Sequence, residues 1–99
     1  MVMTILDAQV AADKWEALEQ AYNENIKRRD PGLVETFLLH NSKEPEQWRI
    51  ATLWASRQAL DTMRASGATP TGVLIFRVAG AEPVLSIFDV VSTLPAPAQ

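Results

Sequence analysis

Apolar residues alternate with polar ones in some stretches of the chain and recur every three or four positions in others. Alternation is typical of strands, whereas the longer period is typical of helices. Four stretches with strand character run over residues 2–10, 33–40, 48–54 and 84–91. Two stretches with helical spacing lie between them, at residues 13–28 and 57–66. The pattern therefore predicts a mixed α and β protein.

Residues with capping preferences mark the ends of both predicted helices. Asp13 and Glu16 have the spacing of a capping box, which predicts that Asp13 caps the first helix. Ser56 provides an N-cap hydroxyl for the second helix, and Gly67 ends it. The Asp-Pro-Gly sequence at residues 30–32 predicts a turn, because proline fixes one dihedral angle and glycine accepts a positive φ.

Residues 73–78 fit two different structures. Their β-branched side chains favour a strand. Thr69 as a cap, Pro70 at the first helical position and Gly80 as a terminator favour a short helix instead. The sequence leaves both interpretations open.

The elements follow the order strand, helix, strand, strand, helix, an undecided segment and strand. With right-handed crossovers, this βαββαβ order predicts an α+β, ferredoxin-like fold, in which the helices cover one face of an antiparallel sheet. Neither a repeat nor a change in composition divides the chain, so we expect a single domain over residues 1–93. Residues 94–99 are predicted to be a Pro/Ala-rich tail.

Both faces of the predicted sheet are apolar. The second strand directs Val34 and Leu38 to one side and Leu33 and Phe37 to the other, and residues 84–91 show the same pattern. The helices suffice to cover one face, and burying an exposed Leu or Phe is worth about 1.5–3 kcal/mol. We therefore expect a homodimer in which the second faces of two copies stack on each other.

Composition and charge narrow the range of functions. The 99-residue chain has a formal net charge of −3 and contains no cysteine. This charge predicts no nucleic-acid or anionic-membrane partner, and the lack of cysteine excludes disulfides and thiolate chemistry. No apolar run approaches the ~20 residues needed to span a bilayer, and no signal peptide is recognisable. We expect a cytoplasmic protein.

Two motifs resemble those of the antibiotic biosynthesis monooxygenase family, which belongs to the dimeric α/β barrel superfamily. They are Asp-Pro-Gly-Leu-Val-Glu-Thr-Phe at residues 30–37 and Ile-Ala-Thr-Leu-Trp-Ala-Ser-Arg-Gln-Ala-Leu at residues 50–60. The family has a Pro-Gly before its second strand and a Trp-x-Ser before a short helix, and residues 31–32 and 54–56 match these positions. The resemblance extends from the first strand to about Phe88. These motifs are structural signatures, and none is a catalytic fingerprint.

The resemblance implies subunits that pair sheet to sheet as a dimeric α/β barrel, with a pocket between helices and sheet in each copy. Some family members are cofactor-independent monooxygenases that oxidise aromatic polyketides, and others degrade haem. The haem-degrading members use an Asn on the first strand, a Trp in the second helix and a His after it. Here the first strand has no Asn, Met63 stands near the expected Trp, and no His follows His40. Haem degradation by that route is therefore not expected.

Five side chains are candidates for the wall of the pocket: Tyr22, Trp54, Met63, Phe76 and Arg77. Trp54 would either stack on a planar substrate or fill the corner between strand and helix. Tyr22 would place its hydroxyl either in the pocket or in solvent. Arg77 would meet an anionic group of the substrate if residues 73–78 form a helix over the pocket mouth, and would be solvated otherwise.

His40, the single histidine, is a weaker candidate. It would act as a general base in a pocket or lie on the surface at the end of the second strand. With no cysteine and no cluster of carboxylates near it in sequence, it provides no zinc site. No glycine-rich phosphate loop is present either. We therefore expect neither a metal nor a cofactor.

The leading hypothesis is a cofactor-independent, monooxygenase-like protein that oxidises a small planar phenolic or quinonoid compound. In this mechanism the protein supplies a dry pocket and orients the substrate, whose electron-rich ring activates oxygen. The alternative is a non-catalytic small-molecule-binding or interaction module on the same scaffold, because a fold does not determine an activity. The sequence leaves open whether the protein is an enzyme.

Overall fold

The computed structural model describes residues 1–27, 31–67 and 69–94. In chain order, the elements are β1 (Val2–Gln9), a 3₁₀ turn (Ala12–Lys14), α1 (Trp15–Asn25), β2 (Leu33–His40), β3 (Gln47–Trp54), α2 (Arg57–Ala65), α3 (Thr71–Val78) and β4 (Val84–Asp89). This order contains the predicted βαββαβ pattern, and α3 precedes the last strand.

Within the described ranges, four strands form one sheet in the order β2-β3-β1-β4. Every neighbouring pair is antiparallel. The central strands β1 and β3 are the most buried, since they have a strand on each side and helices over one face. The predicted α+β, ferredoxin-like fold is therefore confirmed.

A β-bulge shifts the register at the start of β2. Leu33 is paired with Trp54 and Glu35 with Leu53, so β2 uses two residue steps where β3 uses one. The shift brings Leu33 to the helix-covered face, where it packs against the cluster that contains Trp54. The prediction that Leu33 shares a face with Phe37 is therefore wrong, because alternation does not continue through a bulge.

The two predicted helix caps have different outcomes. Ser56 caps α2 as predicted, and its Oγ accepts a hydrogen bond of 3.1 Å from the backbone N–H of Ala59. Asp13 makes no side-chain cap and lies in the 3₁₀ turn before α1. This turn already gives the N–H of Lys14 a backbone partner, the carbonyl of Ala11 at 2.8 Å. The predicted capping box at Asp13 is therefore wrong, since the chain enters α1 through backbone hydrogen bonds.

Residues 73–78 lie in α3, which resolves the ambiguity in favour of a helix. The N-cap position is Pro70 rather than Thr69, and Gly80 follows the helix with a φ of 73°. No helix in the described ranges is long and apolar enough to cross a membrane. Residues 28–30, which belong to the predicted end of the first helix and the start of the predicted turn, and most of the predicted tail, residues 95–99, lie outside the described residues.

The helices pack their apolar sides on one face of the sheet and form two core clusters. The larger cluster joins residues of β1 and β3 to α1 and α3, and includes Leu6, Leu18 and Phe76. The smaller cluster contains Val2 and Trp54 together with Leu60 of α2.

The opposite face of the sheet carries exposed apolar side chains. Phe37 and Leu39 of β2, and Val84 and Phe88 of β4, are between 45% and 69% exposed. On β3, Ala51 is buried because the longer side chains of its register partners Ile5 and Phe37 flank it. No helix of the described chain covers this face, which we call the open face.

Candidate functional site

A cavity of about 410 Å³ lies between the helices and the helix-covered face of the sheet. Its floor comes mainly from β1, β2 and β3, and its walls come from α1, α2 and α3. Most of its lining is apolar, with a few polar side chains among the apolar ones. A concave site of this size and character is typical of small-molecule binding.

The cavity lies between the two core clusters. Leu6 and Ile50 from the larger cluster line it, as do Trp54 and Leu60 from the smaller one. Gly72, in the first turn of α3, lets this helix approach the sheet, because a Cβ there would lie 2.5 Å from Cδ1 of Leu6. The gap between the clusters is therefore bordered closely by α3.

Trp54 forms one side of the cavity and is held in a fixed orientation. Its side chain is 4% exposed and packs against Val2 and Leu60. Its indole Nε1–H donates a hydrogen bond of 3.1 Å to the hydroxyl of Thr4 on the neighbouring strand. The indole therefore lines the cavity in a fixed orientation.

Tyr22 of α1 lines the same cavity and is 9% exposed. Its hydroxyl makes no hydrogen bond within the described part of the chain. Although the residue as a whole is largely buried, its hydroxyl oxygen is not one of the buried, unpaired polar atoms of the described chain, so it reaches accessible space. Tyr22 is therefore a donor and acceptor available to a ligand.

Three threonines also line the cavity and come from three adjacent strands. Thr4 is paired in register with Thr52, which is paired with Thr36. The hydroxyls of Thr36 and Thr52 are 3.2 Å apart and share a hydrogen bond. We call Thr4, Thr52 and Thr36 the threonine row.

One acidic and one basic side chain line the cavity, Glu35 and Arg64. Arg64 lies in the last turn of α2 and makes no ion pair with any described residue. Its guanidinium is exposed and can meet an anionic group at the cavity mouth. Within the described ranges, no group of three or more His, Asp or Glu side chains is placed to hold a metal ion.

The structure places three of the five predicted pocket residues at the cavity, namely Tyr22, Trp54 and Met63. Phe76 is fully buried in the larger core cluster and is not among the lining residues. Arg77 lies outside the cavity, where its Nε donates a 2.7 Å hydrogen bond to Glu82. This hydrogen bond and the charge of Glu82 raise the pKa of Arg77 above its usual value.

His40, the weaker candidate, lies at the opposite end of the helix-covered face. Its ring stacks on Trp48, with centroids 3.9 Å apart and planes at 9°, and meets Trp15 edge-on at 4.8 Å. Its Nε2 lies 2.6 Å from the carbonyl oxygen of Pro45. His40 is therefore part of an aromatic cluster with Trp15 and Trp48 and does not line the cavity.

Sequence reasoning missed the threonine row and Arg64. A threonine inside a strand is common, because its β-branched side chain suits a pleated sheet. Its proximity to other threonines becomes visible only when the register of three strands is known. The Thr–Leu–Trp sequence at residues 52–54 and the Thr at position 36 carried no sign of that register. Arg64 was one of several charged residues on α2, and only the position of the helix directs it to the cavity.

The sequence also matches a known family. Residues 1–69, which extend from β1 through α2, match the family model described as antibiotic biosynthesis monooxygenase. Among curated proteins, none matches this sequence.

Several solved structures share the fold of this chain. SnoaB, a cofactor-independent oxygenase from Streptomyces nogalater, is 18% identical with a TM-score of 0.70, and the match covers 96% of this chain and 97% of SnoaB. A conserved protein from Methanosarcina mazei is 15% identical with a TM-score of 0.69, covering 88% and 89% of the two chains. A variant of MhuD with two manganese protoporphyrin IX molecules per active site is 22% identical with a TM-score of 0.70, covering 97% and 100%. At these identities the likeness concerns the fold.

Proposed function

The chain belongs to the antibiotic biosynthesis monooxygenase family, and from this premise we propose that it oxidises a small planar phenolic or quinonoid compound in the cavity beside Trp54. The observation that carries the proposal is the combination of the Trp54 indole, which lines the cavity in a fixed orientation, with an unpartnered hydroxyl on Tyr22. An aromatic ring can stack on the indole while one of its oxygen atoms hydrogen-bonds to Tyr22. The fold likeness to a cofactor-independent oxygenase supports this reaction class.

In the proposed reaction, the protein binds the substrate and the substrate provides the electrons. A ring methylene flanked by a phenolate loses its two hydrogens and becomes a carbonyl. One atom of molecular oxygen enters that carbonyl, and the other leaves as water with the two hydrogens. The apolar cavity wall excludes bulk water, and Tyr22 stabilises the phenolate oxygen by donating a hydrogen bond. Arg64 at the mouth favours the anionic form of the substrate.

The protein also needs a partner for its open face, and we propose that this partner is a second copy. Phe37, Leu39 and Phe88 are about half-exposed there, and the helices lie entirely on the other side of the sheet. Two stacked sheets would bury these side chains from both copies. The family's characteristic dimeric α/β barrel has this arrangement.

A non-catalytic binding role is the second candidate, and one observation favours it. The single histidine, which is the usual general base, stacks on Trp48 and does not line the cavity. A protein with this site would bind a planar ligand without activating it.

Oxygen uptake separates the two roles. We expect the wild-type protein to increase oxygen consumption by anthrone or 1,8-dihydroxyanthrone, which both carry the ring methylene, above the rate without protein, and Tyr22→Phe to slow it. Binding of both compounds without oxygen uptake above the blank would support the non-catalytic role. The absence of any binding would contradict both roles.

Paired arginine variants test the position of the site. Arg64→Ala should weaken binding of the anionic 2-hydroxy-1,4-naphthoquinone several-fold, because it removes a charge-assisted contact at the cavity. Arg77→Ala is the matched control and should leave affinity unchanged, since Arg77 is paired with Glu82. Loss of affinity in Arg77→Ala alone would place the site elsewhere.

Light scattering tests the dimer. We expect a mass about twice that of the 10.9 kDa chain at micromolar concentration. Phe37→Glu should give the monomer mass, because it places a charge in the proposed interface. Leu74→Glu, which alters an exposed apolar residue on α3, should remain dimeric. A monomeric wild-type protein would contradict the proposal.

A further inference from the structure

The threonine row is the polar part of an otherwise apolar cavity floor. Thr36, Thr52 and Thr4 occupy paired positions on β2, β3 and β1, and all three line the cavity. Adjacent strands lie roughly 4.8 Å apart, so the row places hydroxyls across a width of roughly 10 Å. Thr4 and Thr52 are each 9% exposed, which makes them the buried polar residues of the described core.

The next register row on the same face is entirely apolar. Leu38 is paired with Ile50, Ile50 with Leu6, and Leu6 with Leu85. Three of these four side chains, those of Leu6, Ile50 and Leu85, line the cavity beside the threonine row. Leu33 and Trp54, which are paired on the other side of the threonine row, also line the cavity, so the row of hydroxyls has apolar side chains on both sides.

The hydroxyls of the row retain unused hydrogen-bonding capacity. Thr4 accepts a hydrogen bond from Trp54 Nε1, but its own O–H has no acceptor in the described chain. Thr36 and Thr52 share one hydrogen bond, which uses the proton of one hydroxyl and leaves the other proton free. Two O–H donors therefore remain available at the floor of a largely apolar cavity.

The packing of the sheet does not require these hydroxyls. Valine has nearly the same shape as threonine and suits a buried strand equally well, whereas a buried hydroxyl with an unused donor is costly. Trp54 requires one acceptor, Thr4, and the pair formed by Thr36 and Thr52 serves no other described residue. The remaining donors point to a ligand with oxygen acceptors.

We propose that the threonine row binds the oxygen-bearing edge of the ligand and that the apolar row beside it receives the ring. The ligand class is then a planar aromatic ketone or quinone that carries a second oxygen on the same edge as its carbonyl. The row selects this class by donating hydrogen bonds to two neighbouring oxygens. This inference rests on the proposed function, since it concerns the same cavity.

Two isomeric probes test the proposal. In 5-hydroxy-1,4-naphthoquinone the hydroxyl and a carbonyl share one edge, whereas in the 6-hydroxy isomer they do not. The protein contains no cysteine that would form an adduct with either quinone. We expect the wild-type protein to bind the 5-hydroxy isomer about three- to tenfold more tightly, as measured by tryptophan fluorescence and calorimetry.

Threonine variants then link this preference to the row. The double variant Thr36→Val/Thr52→Val leaves Thr4 as the one donor of the row and should remove most of the preference. Thr36→Ser/Thr52→Ser, which retains both hydroxyls, should restore it. Thr62→Val, on the exposed surface of α2, is the matched control and should keep the wild-type preference. Thermal melts of each variant establish that it is folded.

The outcomes separate this proposal from the proposed function. If both isomers bind equally well, or if Thr36→Val/Thr52→Val retains the wild-type preference, the threonine row does not select the ligand, while the cavity remains a binding site. If neither isomer binds to the wild-type protein, the ligand class is wrong and both proposals fail.

Discussion

Trp48 and Trp54 lie near the two ends of β3, on the same face of the sheet, and each is 4% exposed. The structure around them is nevertheless different. At the Trp48 end the helix-covered face is filled by packed aromatic rings, and at the Trp54 end it borders a cavity of about 410 Å³.

The Trp48 end is filled because two neighbouring elements supply rings to it. His40 is paired with Trp48 in register and stacks on its indole, and Trp15 at the start of α1 packs against both rings. The Nε1–H of Trp48 is the buried side-chain polar atom of the described chain that has no hydrogen-bond partner. Packing at this end is therefore achieved at the expense of one hydrogen bond.

The Trp54 end has the opposite properties. Its indole N–H is satisfied by Thr4, whereas the space beside the ring is unfilled. Its register partner on β2 is the aliphatic Leu33, which the bulge brings opposite to it. The comparison teaches that two equally buried tryptophans of one strand can differ in whether a cavity lies beside them.

Truncation of the two tryptophans should give the largest effects and sharpen the comparison. Trp48→Ala should lower the free energy of unfolding by about 3–5 kcal/mol, because it leaves a hole in a filled cluster. Trp54→Ala should cost less, since one side of this indole already borders the cavity. Denaturant titration measures both losses. A larger loss for Trp54→Ala would mean that the cavity end carries the tighter packing.

Gly32→Ala should perturb the Trp54 end of the helix-covered face through the contact of residue 32 with α2. Gly32 has a φ of 84°, and a Cβ there would lie 2.4 Å from Cβ of Ala59 in α2. Gly32→Ala should cost about 2 kcal/mol or more, because backbone strain and overpacking add. Gly67→Ala is the matched control, since Gly67 has a φ of 78° but no atom within 4 Å of the added Cβ. Equal losses in both variants would show that the contact with α2 is not tight.

Variants of the two cap residues should give the smallest losses in the free energy of unfolding. They should again distinguish the Trp54 end of the helix-covered face from the Trp48 end. Ser56→Ala removes the cap of α2 at the Trp54 end and should cost about 1 kcal/mol. Asp13→Ala, at the Trp48 end, should cost less than about 0.5 kcal/mol, because Asp13 makes no cap hydrogen bond. Thermal or denaturant melts compare the two variants. A loss of about 1 kcal/mol in Asp13→Ala would mean that its carboxylate caps α1 in solution.

The sequence predicted well those features that depend on residues close together in the chain. β2 has the predicted bounds, since its apolar run ends at the polar loop that follows His40. Ser56 caps α2 because its hydroxyl needs only a nearby amide of its own helix. The capping box at Asp13 failed although its spacing was correct, because the preceding 3₁₀ turn had already satisfied the amides.

The candidate site was less predictable, because it depends on contacts between elements. Trp54, Tyr22 and Met63 line the cavity as expected from their size and predicted elements. Arg77 does not, because Glu82 lies five residues away in the chain and is close enough to bind its guanidinium. The threonine row depends on the register of three strands, and the bulge at Leu33 shows that register does not follow from alternation alone.

The central claim is that the cavity beside Trp54, rather than the aromatic cluster around Trp48, is the ligand site. The chain contains three tryptophans, so an amide correlation spectrum should show three indole N–H signals, which Trp→Phe variants assign. On addition of 5-hydroxy-1,4-naphthoquinone, we expect the Trp54 signal to shift while the Trp15 and Trp48 signals stay in place. Shifts of the Trp15 and Trp48 signals with an unchanged Trp54 signal would contradict the claim.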